Sequence, residues 1–231
     1  YPAALDHFRL DDAPEVAKIY GDAPRELDIL FPCEEIDQFF EQALKAYRSK
    51  SLFCKSTDAE TATRVRLGIS DAKFSKTPAG QPHDPQGEAY LKNSGQDEEV
   101  EVGSMFDMPC PYHDCPFFAS EKPLCKATAR LLFLMPKVPL FGCFQITTSS
   151  WNSVSNLNSY IKAVKAAAGR ISMIPLKLRL EPQDAQVAGK RKTIHVLTVR
   201  YEGSVQSLMA LGQRLHLEHH PKVELPALAS D

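Results

Sequence analysis

Four cysteines, Cys54, Cys110, Cys115 and Cys125, constrain the fold of this chain more than any other feature of its sequence. They stand among Pro, Asp and Lys, whereas free thiols usually sit in apolar surroundings. Cys110-Pro-Tyr-His-Asp-Cys115 offers two sulfurs from a proline-led turn, Cys125 follows, and Cys54 ends a short strand. Four thiolates are soft donors able to reach a tetrahedron around zinc, with Zn–S distances of about 2.3 Å. Six cysteines in 231 residues are too few for a disulfide scaffold. The expectation is therefore a structural zinc ion (Zn2+) held by these four side chains, with His113 as a substitute for one thiolate. The competing reading is four unrelated reduced thiols. Cys33 and Cys143 read as packing residues.

The segments around the cluster predict an α+β fold. Leu27, Ile29 and Phe31 alternate between Pro24 and Pro32, as in a half-buried strand. From Glu34 to Arg48 the residues Ile36, Phe39, Phe40, Leu44 and Tyr47 recur at helical spacing, with acids first and bases last, which predicts a helix. Ser51 to Cys54 reads as a strand and Thr57 to Arg66 as a further helix. Residues 76–104 are rich in Pro, Gly, Asp and Glu and poor in large apolar side chains, which predicts a mobile polar loop. Such a loop closes at modest entropic cost if Cys54 and Cys110 pin its ends.

Beyond the cysteines, residues 105–128, the pattern is regular. Arg130 to Met135 and Gly142 to Thr148 read as paired strands, Ser155 to Ala168 as a helix stopped by Gly169, and Pro175 to Glu181 and Thr193 to Tyr201 as a second pair. Ser204 to Leu217 closes the chain with a helix. This predicts a ββαββα core over residues 129–217, mainly antiparallel sheet with helices on one face, compact with residues 1–75, and a tail at 218–231.

A net charge of −2 excludes attachment to nucleic acid by bulk charge. Local contact is left to Lys190, Arg191 and Lys192 at a hairpin tip, which also reads as a solvated turn blunting a sheet edge. Trp151, in a polar stretch between strand and helix, reads equally as an interface anchor or a core residue. No apolar run approaches a membrane span and the first ten residues carry charges, which predicts a cytoplasmic protein. Enzymatic motifs are missing. Pro109-Cys110 lacks the second cysteine spacing and the upstream His-x-Glu of a deaminase, His216-Leu-Glu-His-His220 fits no metalloprotease pattern, and there is no phosphate-binding or dinucleotide-binding loop.

The run Pro24-Arg-Glu-Leu-Asp-Ile-Leu-Phe-Pro32, the strand-ending Cys54, the cluster Cys110, Cys115 and Cys125, and Gly169-Arg-Ile-Ser-Met-Ile-Pro-Leu-Lys-Leu178 together resemble a phage and prophage family. It is the family of zinc-containing recombination directionality factors that partner large serine integrases. The likeness runs from about Pro24 to Tyr201, omitting the polar loop. It departs at Cys54-Lys-Ser-Thr-Asp58, where the family often has Cys-Arg-Gly-Asp-Gly. The resemblance implies a non-enzymatic protein that binds an integrase, through the integrase's coiled-coil arm, and turns it from joining attP and attB to recombining attL and attR in the bacterial host. The alternatives are a zinc-stabilised DNA-binding phage regulator and a zinc hydrolase.

Overall fold

The computed structural model describes residues 6–10, 13–48, 51–67, 84–120, 123–187 and 190–219. The chain divides into two compact units, one formed by residues 1–40 and 130–231, the other by residues 41–129.

The first unit contains helix α1 (Pro14–Tyr20), strand β1 (Glu26–Ile29) and the short helix α2 (Ile36–Phe39). Its later part contains β7 (Phe144–Thr148), α5 (Trp151–Ala168), β8 (Leu176–Val187), β9 (Lys190–Arg200) and α6 (Val205–His219). A three-stranded antiparallel sheet has the order β1-β8-β9, with Leu27 opposite Leu178 and Ile29 opposite Leu176. Leu27, Ile29, Leu176, Leu178, Leu197 and Val199 are all buried, so apolar alternation does set this face. Helix α5 starts where Ser150 accepts a hydrogen bond from the Ser153 amide at 3.4 Å, and it stops at Gly169 in the left-handed conformation (φ 73°). Its stripe of Val154, Leu157, Ile161, Val164 and Ala168 is buried. Helix α6 crosses α5 at Gly212, where a β-carbon would lie 2.0 Å from the Ala168 carbonyl oxygen, so only glycine fits.

The second unit contains β2 (Phe40–Arg48), β3 (Ser51–Ser56), β4 (Thr61–Val65), α3 (Pro85–Ser94), β5 (Met105–Pro109), a 3₁₀ turn at Tyr112–Asp114, α4 (Pro116–Ala119) and the start of β6 (Cys125–Phe133). Its strands lie in the order β5-β4-β3-β2-β6, and β6 continues into the first unit, where β7 lies beside it. One apolar cluster gathers Ala46, Phe53, Cys54, Ala62 and Cys125; a second gathers Leu91 with Phe106 and Met108.

The α+β class holds, as does the order ββαββα from β6 to α6, but those four strands are divided between two sheets rather than forming one. Three local expectations are corrected. The helix expected over Glu34–Arg48 is confined to Ile36–Phe39, and the rest is β2, antiparallel to β3 with Leu44 opposite Ser56 and Ala46 opposite Cys54. Phe40 and Leu44 are four residues apart, a spacing that the two-residue strand period shares with a helical turn, and Ile36 and Phe39 belong to α2, so the apolar spacing imitates a helix. Lys45, taken for a helix-dipole base, works across the sheet instead. Lys45 and Lys55 face each other, and Glu41 reaches both, at 3.4 Å and 2.8 Å.

Thr57–Arg66 is not a helix either; it turns into β4, whose alternation hides because one of its buried residues is Arg64. The turn before it sets Ala59 at φ 63°, while Asp58 accepts the amides of Glu60 and Thr61 at 2.9 Å and 2.8 Å. Within the supposed loop, Asp84 caps α3, Pro85 occupies its first turn and Gly95 ends it. Leu91, fully buried against Phe106 and Met108, anchors it, with Tyr90 stacked on Phe106. Residues 76–83 of that loop lie outside the described residues.

Candidate metal centre

The four predicted cysteines belong to the second unit and converge. Cys54 lies on β3, its Cα opposite Arg64 on β4 and Ala46 on β2. Cys110 follows β5, its amide donating to the Glu60 carbonyl at 2.6 Å. Cys115 closes the 3₁₀ turn and caps α4, and Cys125 opens β6. All four line one void of about 10 Å³, the volume of a single water-sized sphere. Leu44, Ala46, Phe117 and Phe118 complete its apolar walls. Cys54, Cys115 and Cys125 are buried and Cys110 is half-buried. Tyr112, inside the Cys110–Cys115 turn, holds φ 43°, a conformation that a non-glycine residue keeps only where its surroundings impose it.

His113 is not among the residues lining the void; its ring packs at 3.8 Å from the Tyr112 ring centroid. Cys33 is half-buried with its thiol towards the Glu35 carbonyl at 3.7 Å. Cys143 precedes β7 and is exposed, so the expectation of a packing role for it is corrected.

Burial pushes the Cys125 thiol up to about 12, and the neighbouring sulfurs of Cys54, Cys115 and Cys110 add to the shift. Burial likewise raises Cys54, against the opposing pull of Arg64. Such thiols stay protonated unless a cation draws the protons off. The donor set suits zinc, being soft, dry and four in number. The placement of the sulfurs is looser than the donor set: among the described residues no three His, Cys, Asp or Glu side chains are arranged to hold an ion.

Sequence reasoning missed Arg64 and Asp84. Arg64 is 1% exposed, and its Nη1 donates to both Asp84 oxygens at 2.8 Å and 3.1 Å. Its Nη2 points to the Cys115 sulfur at 3.7 Å. Asp84 also accepts from the Gly87 amide at 3.2 Å, which caps α3. An arginine at an inward position of a strand is the one signal the sequence carried.

Two of the resemblance motifs, Pro24–Pro32 and Gly169–Leu178, meet in the first unit, where β1 pairs with β8 and Phe31 bridges Ser172, and Glu34 just beyond the first motif clamps the second. Glu34 accepts the amides of Ile171 and Ser172 at 2.9 Å and 3.1 Å, as well as the Ser172 hydroxyl. Lys165 donates to the Glu34 carbonyl at 2.7 Å. Burial would raise the Glu34 carboxyl, but the bonds from Ser172 and Ile171 and the nearby Arg170 hold it below the usual range. The clamp fixes the turn where Met173 sits half-exposed at φ 60°.

Of the hairpin-tip residues Lys190, Arg191 and Lys192, only the Arg191 side chain is described; it is exposed and pairs with Asp184 at 2.7 Å. β1 covers β8 only from Leu176 to Arg179, so β8 and β9 continue past it, with Pro182, Gln183, Asp184, Arg191 and Thr193 exposed. Trp151 is 67% exposed and Phe141 99%, which places the tryptophan outside the core. No described helix is long and apolar enough to cross a membrane.

No curated protein and no solved structure matches the chain. The family model described as Gp3-like, recombination directionality factor-like, matches residues 1–202, which include the cysteine cluster, the Glu34 clamp and both sheets. The chain belongs to this Gp3-like, recombination directionality factor-like family.

Proposed function

We propose that this protein is a recombination directionality factor that binds a large serine integrase in the bacterial cytoplasm and turns it from attP × attB integration to attL × attR excision. The observation that carries this reading is the family match over residues 1–202. The factor need perform no chemistry. It must bind one arrangement of the integrase more tightly than another, because only differential affinity shifts an equilibrium. The integrase's coiled-coil arm is the proposed target. Two exposed features of the first unit suit such a contact: the polar end of the β8–β9 hairpin, and the apolar side chains of Leu140, Phe141 and Trp151.

Cys54, Cys110, Cys115 and Cys125 are proposed to hold a structural zinc. Four protein ligands leave no open position for substrate, so the ion would act as a crosslink between strand ends and turns. The convergence of all four on one small void supports this reading. Closing the sulfurs onto the ion requires local movement from their present placement.

Purified protein mixed with the serine integrase encoded beside it should stimulate attL × attR recombination and suppress attP × attB. Failure to do either, together with separate elution of the two proteins on a sizing column, would refute the function. Elemental analysis should find about one zinc per chain. A DNA-binding regulator would instead bind DNA alone with steep salt dependence. A zinc hydrolase would need an open coordination position.

A further inference from the structure

We infer that Arg64 is the built-in counter-cation of the cysteine cluster, a positioning residue that lowers the cost of gathering thiolates there and so sets how tightly the site holds its metal. The inference rests on the zinc reading above and deepens it.

A guanidinium stays charged at any pH a folded protein meets, so a fully buried one is tolerated only beside compensating charge. Arg64 spans two such neighbours in opposite directions. Nη1 takes the Asp84 carboxylate, and Nη2 faces the Cys115 sulfur at 3.7 Å. The strand register fixes this geometry, because the Arg64 Cα lies opposite that of Cys54. The Phe53 and Phe117 rings sit 6.0 Å and 5.3 Å from the guanidinium carbon and keep water away. Nε has no hydrogen-bond partner. Beside neutral thiols, which are weak acceptors, the guanidinium thus has more donors than acceptors. Thiolates would reverse that shortage.

Four thiolates around a divalent ion carry a net charge of −2, which a dry site resists unless a fixed cation stands near. Arg64 supplies one. Asp84 is the arm that holds it: Gly87, where a β-carbon would lie 2.4 Å from Asp84 Oδ2, lets the carboxylate fold back over the start of α3. If the ion pair merely stabilised the fold, its two members would matter equally to the metal. If Arg64 is the counter-cation, they differ.

The experiment compares zinc affinity by competition with a chromophoric chelator on the full chain. Asp84→Asn keeps a capping side chain and the guanidinium, and should hold zinc within about threefold of wild type or more tightly. The double variant Arg64→Met/Asp84→Asn removes the pair without leaving a buried lone charge, and should bind roughly 10- to 100-fold more weakly while its circular dichroism is unchanged. If the double variant does not fold, Arg64→Gln/Asp84→Asn, which replaces the ion pair by two neutral amides, should weaken binding in the same direction, and affinity within threefold of wild type there also overturns the inference. Equal weakening by Asp84→Asn and by the double variant, or affinity of the folded double variant within threefold of wild type, overturns the inference while leaving the zinc reading intact. Wild-type protein that binds no zinc overturns both.

Discussion

Gly212→Ala separates the intrinsic preference of a helix from its packing. In an isolated helix this substitution stabilises by about 1 kcal/mol, because glycine loses more backbone freedom on folding. Here the new methyl would lie 2.0 Å from the Ala168 carbonyl oxygen, 2.8 Å from its carbon and 2.9 Å from the Ala168 Cα. Ordinary contact begins at 3.4 Å, so α6 must withdraw by about 1.4 Å. All three obstructing atoms are main chain, and no rotamer change can clear them. Withdrawal loosens the contact of Leu208, which is 6% exposed, and overpacking of this kind costs about 1–3 kcal/mol. The clash therefore at least cancels the propensity gain, and the net loss should be up to about 2 kcal/mol, or a Tm up to roughly 4–8 °C lower for a chain of this size. Urea unfolding should show a lower midpoint at unchanged slope. Ala210→Gly, on the exposed side of the same helix, calibrates propensity alone and should cost about 1 kcal/mol. A Gly212→Ala protein more stable than wild type would refute the close crossing of α5 and α6.

Other substitutions address separate features. Ala59→Gly should stabilise by about 0.5–1 kcal/mol in thermal unfolding, since Ala59 holds φ 63°. Glu34→Gln should cost about 1–3 kcal/mol, because the neutral amide loses charge-assisted bonds to the Ile171 and Ser172 amides. Stability should also fall in acid. Burial raises Asp28, but bonds from Lys137, Lys177 and Tyr20 outweigh it and bring the carboxyl to about 2 from 3.8. Glu26 and Glu34 are lowered as well. Groups depressed in the folded state contribute fully above their unfolded values and lose that contribution as pH drops through the folded ones. Unfolding midpoints measured from pH 6 downwards should therefore hold to about pH 4.5 and decline towards pH 2; a midpoint that rises over that range would contradict the network. Phe141→Ser should leave the melting temperature unchanged within about 1–2 °C, since the side chain is 99% exposed, and reduce integrase binding in a pull-down.

Elements whose apolar residues keep one unambiguous period were readable from residue pattern. The alternation in Leu176–Leu180 and its neighbour across the turn predicted β8 and β9, and the stripe of α5 with Gly169 at its end predicted that helix. β2 and β4 were not readable, for opposite reasons. β2 carries enough apolar residues, but the four-residue step from Phe40 to Leu44 suits a helix as well as a strand, and its partner strand supplies the deciding bonds. β4 keeps the strand period, but one of its inward positions is filled by an arginine, which reads as polar until Asp84 is known to meet it. Asp84-Pro85 and Gly95 did mark the limits of α3 in sequence, yet the low apolar content concealed that Leu91 and Tyr90 anchor it. The cysteines were legible because their chemistry is unusual. Glu34 was not, because a carboxylate serving two amides 137 and 138 residues away leaves no local trace.

The pairing of β1 with β8 has a consequence for synthesis of the chain. Glu26 meets Arg179, 153 positions further along the chain, and at about 5–20 residues per second a ribosome needs roughly 8–30 s to supply the missing strand. Throughout that interval residues 41–129 can complete their own strands, while Leu27, Ile29 and Phe31 wait without their cover. An apolar strand left waiting is an aggregation hazard, and its flanks carry the usual guards against pairing with the wrong neighbour: Pro24 and Pro32 at either end and Asp28 between the apolar positions. Asp28, read in the finished protein as one member of an ion-pair network, would thus serve first as a gatekeeper of the nascent chain.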